Sequence, residues 1–259
     1  MSRARTLVRS LVVAFGCFSK VPMPRVEWDR DSMRYAMVFF PWVALAIGLV
    51  LCGWLALCRA ASVGVLLRAA GVALAPVAVT GGIHLDGLAD VVDAQSSHAE
   101  LARKREILKD PHTGAFAIVG VACYLVAYLA LASELDAAPA TAALLAGLHW
   151  QSRCLSGVAT LAFPRSSGQG MLATFGASAD KRRSLAALVA EWAAGVAAAA
   201  WVSGAAAAAM AAGGVASLLW LRRFAARQFG GMSGDLAGFF LEVAELVMLA
   251  CLVVATHLA

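Results

Sequence analysis

Seven runs of the chain, roughly 35–57, 69–83, 115–133, 138–160, 185–203, 205–221 and 237–258, carry little or no charge. Each comes near the about 20 apolar residues that a helix needs to cross hydrocarbon, where every backbone N–H and C=O must find its partner inside the segment. The second run is short and extends back through Val63 if its helix is longer. Residues 185–221 form one Ala-rich stretch, too long for a single helix. The break is expected at Ser203-Gly204, with Gly213-Gly214 as the rival position. Composition agrees: 61% of the residues are hydrophobic and 14% charged, whereas a soluble domain is about half apolar and a quarter charged. Mean hydropathy is +0.78. The expectation is an all-α, polytopic integral membrane helical bundle with about seven transmembrane helices. Residues 1–259 would form one membrane-embedded domain, with the lipid bilayer as its solvent and no nucleic-acid partner.

The front of the chain, "MSRARTLVRSLVVAFGCFSK", is basic and then apolar. It lacks a clean small-x-small cleavage site, so residues 1–34 read as an uncleaved segment lying at the interface. The net charge of +5 is unevenly placed. Lys and Arg cluster at 3–9, 20–34, 103–109, 165–183 and 222–227, whereas the connection "ELDAAP" at 134–139 has acids and no bases. Basic and non-basic connections alternate, as the positive-inside rule requires, with only Arg59 and Arg68 on the outer side. The N-terminus and the polar stretches 16–34, 82–114, 163–184 and 222–236 then face the cytoplasm across an inner membrane. A site built from those stretches would open there. The six cysteines and five histidines show no metal-ligand spacing, and the cysteines read as small core side chains.

The densest chemistry is "HLDGLADVVDAQ", 84–95. Asp86, Asp90 and Asp93 stand at i, i+4 and i+7, which stacks them on one helix face. Stacked carboxylates near hydrocarbon repel. A divalent cation relieves this, and hard carboxylate oxygens suit Mg²⁺, which shares its coordination with waters and substrate phosphates. The alternative is a solvated helix face above the membrane. Gly81, Gly82 and Gly87 allow close backbone or ligand approach, and His84 sits at the start of the motif. In "RKREILKDPHTGAF", 103–116, Arg103 and Lys109 are candidate phosphate ligands, followed by Asp110 in a loop. Lys104 and Arg105 read at least as well as anchors of the next helix. Arg153 lies inside an apolar run, which makes it either a functional group or a snorkelling one. In "RQFGGMSGDLAGFFLEVAEL", 227–246, Ser233 and Asp235 precede the last span and Glu242 and Glu245 lie within it, a second acidic wall expected to face Asp86.

These motifs, "GGIHLDGLADVVDA", "RKREILKDPHTGAF" and "GGMSGDLAG", stand in the order of the cobalamin synthase family. The chain resembles that family over most of its length, including "FSKVPMP" at 18–24 and "RCLSGVATLAFPRSSGQG" at 153–170. It departs from the family pattern at Lys20, at Pro111-His112 and at Ser233. The resemblance implies an adenosylcobinamide-GDP ribazoletransferase. Adenosylcobinamide-GDP and α-ribazole, or its 5′-phosphate, would give adenosylcobalamin, or its 5′-phosphate, and GMP with Mg²⁺ present. Asp86, Asp90 and Asp93 would then hold the metal, with Asp86 or Asp90 catalytic. His84, Gly87, Arg103, Lys109, Asp110, Arg153, Ser233, Asp235, Glu242 and Glu245 would meet substrate. Rival readings are a CDP-alcohol or prenyl type of metal-diphosphate transferase and a cation-coupled transporter. Oligomeric state is left open.

Overall fold

The computed structural model describes residues 3–167 and 170–258. They form thirteen helices: α1 (Arg3–Phe18), α2 (Arg30–Met33), α3 (Ala36–Phe39), α4 (Val43–Ala60), α5 (Val65–Thr80), α6 (Ile83–Ser96), α7 (Leu101–Ile107), α8 (Ala115–Ser133), α9 (Pro139–Ala162), α10 (Met171–Ser178), α11 (Lys181–Val202), α12 (Gly204–Phe229) and α13 (Gly234–His257).

Among the described residues, five segments are long and apolar enough to cross a membrane: Ala36–Ala60, Ala115–Ser133, Lys181–Val202, Gly204–Phe229 and Gly234–His257. Val65–Thr80 with Ile83–Ser96 makes a sixth if the bent pair is one span. The protein is therefore a multi-pass membrane protein, and "about seven" overstates the strictly apolar set. The difference lies in α9. With 24 residues it reaches about 36 Å at 1.5 Å per residue, which is long enough. Its middle is not apolar, because His149, Gln151, Ser152, Arg153 and Ser156 are all buried there. α9 packs against α4, α11, α12 and α13. It is the polar pillar of the bundle.

Local sequence explains the boundaries that matter for the site. The Ala-rich stretch breaks at Ser203, whose hydroxyl accepts from the Ala206 N–H and caps α12. Gly213 and Gly214 stay inside α12 as contact points, where an added Cβ would lie 2.8 Å from Cys251 Sγ and 2.8 Å from Leu155 Cδ1. Small residues let helices approach this closely in lipid. α5 ends at Gly81 and Gly82, with φ of 70° and 78°. Both lie in the left-handed region that glycine tolerates best, and the chain turns through 98° into α6. The turn carries the "HLDG" motif back across α13, which α6 meets along its length.

Candidate active site

A cavity of about 650 Å³ opens between α6, α13, α7 and α10, within the size range of small-molecule sites. It draws on all four polar stretches of the sequence, through Phe18, Asp86, Phe175 and Asp235 among others. Two carboxylates, Asp86 and Asp235, share its wall with two cations, Arg105 and Lys109.

Asp86 lies in the first turn of α6 and Asp235 in the first turn of α13, where a helix N-terminus favours negative charge. The helices meet at glycine. A Cβ on Gly87 would stand 2.6 Å from the Asp235 backbone oxygen, and one on Gly238 would stand 3.1 Å from the His84 oxygen. Gly87 thus sets how closely the two acidic turns approach, in addition to lining the cavity. Ser233 caps α13 by accepting from the Leu236 N–H, and its hydroxyl also donates to Asp235 Oδ2 at 3.3 Å. The preceding loop is tied down by a short bridge: the Ser166 N–H donates to the Met232 carbonyl at 2.9 Å, and the Met232 N–H donates to the Pro164 carbonyl at 2.8 Å.

The three α6 aspartates diverge in environment. Asp86 is exposed to the cavity, whereas Asp90 and Asp93 are half-buried. Asp90 feels the charges of Asp86, Asp235 and Asp93. Asp93 accepts from the Gly114 N–H at 3.1 Å and so fastens the segment before α8 to α6. Among the described residues no three His, Cys, Asp or Glu side chains converge closely enough to hold a metal ion by themselves. The carboxylates nonetheless suit a hard cation completed by waters and phosphate oxygens, because Mg²⁺ takes one or two protein carboxylates in such sites.

The cations differ from the sequence reading. Arg103 pairs with Glu106 at 2.8 Å on the outer face of α7 and does not line the cavity. Arg105 does line it, two residues on and therefore on the other side of the helix. Its Nε donates to the Phe229 carbonyl at 2.7 Å, and its guanidinium fills the space above Gly230. Lys109 joins it, and its i, i+4 relation to Arg105 is the sequence signal that the two share a side. Lys104 is buried, donating to Gln95 Oε1 at 2.9 Å and Gln228 Oε1 at 2.7 Å. Asp110 is also outside the cavity. It accepts from the His112 N–H and pairs with the His112 ring, and those two contacts hold its carboxyl below the usual range.

Arg153, Glu242 and Glu245 do not line the cavity. Arg153 is 0% and Glu245 1% exposed, and they form an ion pair at 2.7 Å. Glu245 also meets His149 Nδ1 at 3.0 Å and accepts from Ser152 Oγ at 2.8 Å. Glu242 neighbours the Tyr124 hydroxyl. The second wall expected at Glu242 and Glu245 is thus a buried network joining α9 to α13, and of the four residues expected there Ser233 and Asp235 line the cavity. Acids in an apolar helix must face the bundle interior, but the interior here supplies them with protein partners.

The fold and this cavity define a class: a multi-pass membrane protein whose cavity wall carries two carboxylates and two cations. Within it, the chain belongs to the cobalamin-5-phosphate synthase family, whose model matches residues 10–253. It is 35% identical to an adenosylcobinamide-GDP ribazoletransferase of Lachnoclostridium phytofermentans over 96% of this chain and 94% of the relative. A relative of the same name from Pseudomonas savastanoi pv. phaseolicola is 33% identical over 89% and 90%. One from Novosphingobium aromaticivorans is 31% identical over 92% and 93%. No solved structure matches the chain.

Proposed function

We propose that the protein is an adenosylcobinamide-GDP ribazoletransferase. In this reaction the 3′-hydroxyl of α-ribazole, or of its 5′-phosphate, attacks the cobinamide-side phosphorus of the diphosphate and gives its proton to a base. A new O–P bond forms, the bond to GMP breaks, and GMP leaves. Support comes from family membership and from one observation: Asp86 and Asp235 share a cavity wall with Arg105 and Lys109.

Displacement at a diphosphate needs positioning and charge neutralisation more than covalent catalysis. Arg105 offers a planar fork to two phosphate oxygens, and Lys109 adds a mobile point charge. A diphosphate drawn in by these cations meets Asp86 and Asp235, which repel it. A divalent cation reconciles the two, so Mg²⁺ held by Asp86 with Asp90 or Asp235 would supply charge neutralisation between carboxylate and phosphate. Asp93, committed to the Gly114 N–H, would act by orienting α6. Asp235, hydrogen-bonded to Ser233, is placed to take the proton of an attacking hydroxyl, and Asp86 is the other candidate. The corrin is too large for the cavity and would rest at its mouth. By the positive-inside rule the basic connections, and the cavity with them, would face the cytoplasm across an inner membrane.

The test is GMP release by the purified protein from adenosylcobinamide-GDP with α-ribazole and Mg²⁺. Cobalamin and GMP should appear in equal amounts. Hydrolysis of the diphosphate without cobalamin formation, or no turnover, would overturn the reading.

A further inference from the structure

One wall of the cavity carries no formal charge. Phe18 at the end of α1, Phe40 just after α3 and Phe175 in α10 gather around His84 at the start of α6. Ring centroids lie 4.4 Å apart for Phe18 and Phe40, 5.8 Å for Phe18 and Phe175, 5.7 Å for Phe40 and His84, and 6.3 Å for Phe18 and His84. Met37 and Leu172 complete the wall. Diphosphate chemistry does not use these groups. His84 is 6% exposed, and its Nε2 is buried without a hydrogen-bond partner. A buried polar atom left unpaired is costly unless a ligand completes it.

We propose that this wall binds the flat bicyclic base of the alcohol substrate, with His84 donating its ring N–H to the single unsubstituted nitrogen of that base. The assignment rests on the transferase reading and narrows it. The cavity must take two heteroaromatic rings in turn, the base of the alcohol and the guanine of the leaving nucleotide. Guanine carries donors and acceptors around its whole edge, so packing it against phenylalanines would strip several of them of partners. A benzimidazole joined to ribose through one nitrogen keeps one acceptor and is otherwise apolar. That matches phenyl rings and one imidazole with a ring N–H to give. Contact with Phe18, whose ring is backed by the buried Phe40 and Phe175, fixes the ring plane. The guanine is left to the charged and backbone-rich side near Arg105 and Ser233.

The experiment uses two alcohols on the full-length protein in lipid or detergent: a benzimidazole α-riboside and the matching indole riboside, which has the same shape and a C–H in place of the acceptor. The wild type should prefer the benzimidazole by on the order of tenfold in kcat/KM, as expected for one lost buried hydrogen bond. In His84→Phe the two should differ by less than about twofold, while the KM for adenosylcobinamide-GDP and inhibition by GMP stay near wild type. Equal use of both alcohols by the wild type would overturn the proposal. So would a His84→Phe or Phe175→Ala change that falls on GMP inhibition instead of on the alcohol. The wild-type comparison keeps the test decisive if a variant fails to fold. No GMP release by the wild type with either alcohol would instead remove the transferase reading, and this assignment with it.

Discussion

Asp86 and Glu245 are both carboxylates on helices of an apolar bundle, and their surroundings could hardly differ more. Asp86 is exposed to a cavity, with Asp235 and two unshared cations along the same wall. Glu245 is sealed at 1% exposure and accounted for by Arg153, His149 and Ser152. The first carboxylate has charge left over for a ligand, and the second has spent its charge on the protein. An ionisable residue in a membrane helix is a functional candidate by default, but that default separates into two roles once partners are known. What distinguishes them is whether the local charges already balance.

The comparison is broken most directly at Asp86. Asp86→Asn should lower kcat by about a hundredfold to a thousandfold, the range seen when one preorganised electrostatic group is removed, with little change in thermal stability. GMP release by the wild type should likewise vanish in EDTA and return with Mg²⁺. Near wild-type turnover of the purified variant, or full activity in EDTA, would show that this carboxylate carries no metal or catalytic role.

Glu245→Gln should do the opposite. It leaves Arg153 buried with no counter-charge, a change that costs about 3–5 kcal/mol in folded proteins. The yield of folded protein and its melting temperature should fall, while the KM values of the surviving enzyme stay close to wild type. Replacing Arg153 and Glu245 together by apolar residues should recover much of the loss, because no uncompensated charge remains. A stable Glu245→Gln enzyme with a raised Mg²⁺ requirement would move Glu245 to the reaction side of the comparison.

Gly87→Ala tests the contact that joins the two acidic turns. The new methyl would lie 2.6 Å from the Asp235 backbone oxygen, so α6 and α13 must separate. Overpacking of this kind costs about 1–3 kcal/mol. Turnover should fall beyond what the stability loss explains, because Asp86 and Asp235 shift relative to each other. A variant that loses stability and keeps kcat would show that their spacing is not critical.

Much of this was legible in the sequence, and the parts that were not have a common cause. Uncharged runs marked the helices, and the length of the Ala-rich stretch called for the break that falls at Ser203-Gly204. The four polar stretches do converge on one cavity. Asp86, Lys109, Ser233 and Asp235 line that cavity. Charge balance, however, is a tertiary property. Arg153 and Glu245 are 92 residues apart, and no local pattern says that they meet. The same gap affected α9, whose buried polar residues look like an ordinary span with one interruption until their partners on α13 are seen. The Phe18, Phe40 and Phe175 cluster was equally silent, since aromatics from three separate segments give no periodic signal.

Arg103 and Arg105 give the finest comparison, with the smallest effects. They are the same residue type two positions apart, so one helix turns them to different sides. Arg103 is engaged with Glu106 on the exposed face, an ion pair of the kind that contributes about 1 kcal/mol or less. Arg105 lines the cavity and is anchored through its Nε to the Phe229 carbonyl, which leaves its terminal nitrogens for an anion. Arg105→Ala should raise the KM for adenosylcobinamide-GDP by about tenfold, in line with one lost charge-assisted hydrogen bond. Arg105→Lys should recover only part of this, because an ammonium lacks the planar fork. Arg103→Ala should leave both KM and kcat within about twofold, since it removes only a screened surface pair. Initial rates over a range of adenosylcobinamide-GDP at saturating α-ribazole separate the two. Equal effects of the two alanine substitutions would mean that the basic run acts through its general field. An effect of Arg103 alone would place the phosphates on the outer face of α7, away from Asp86.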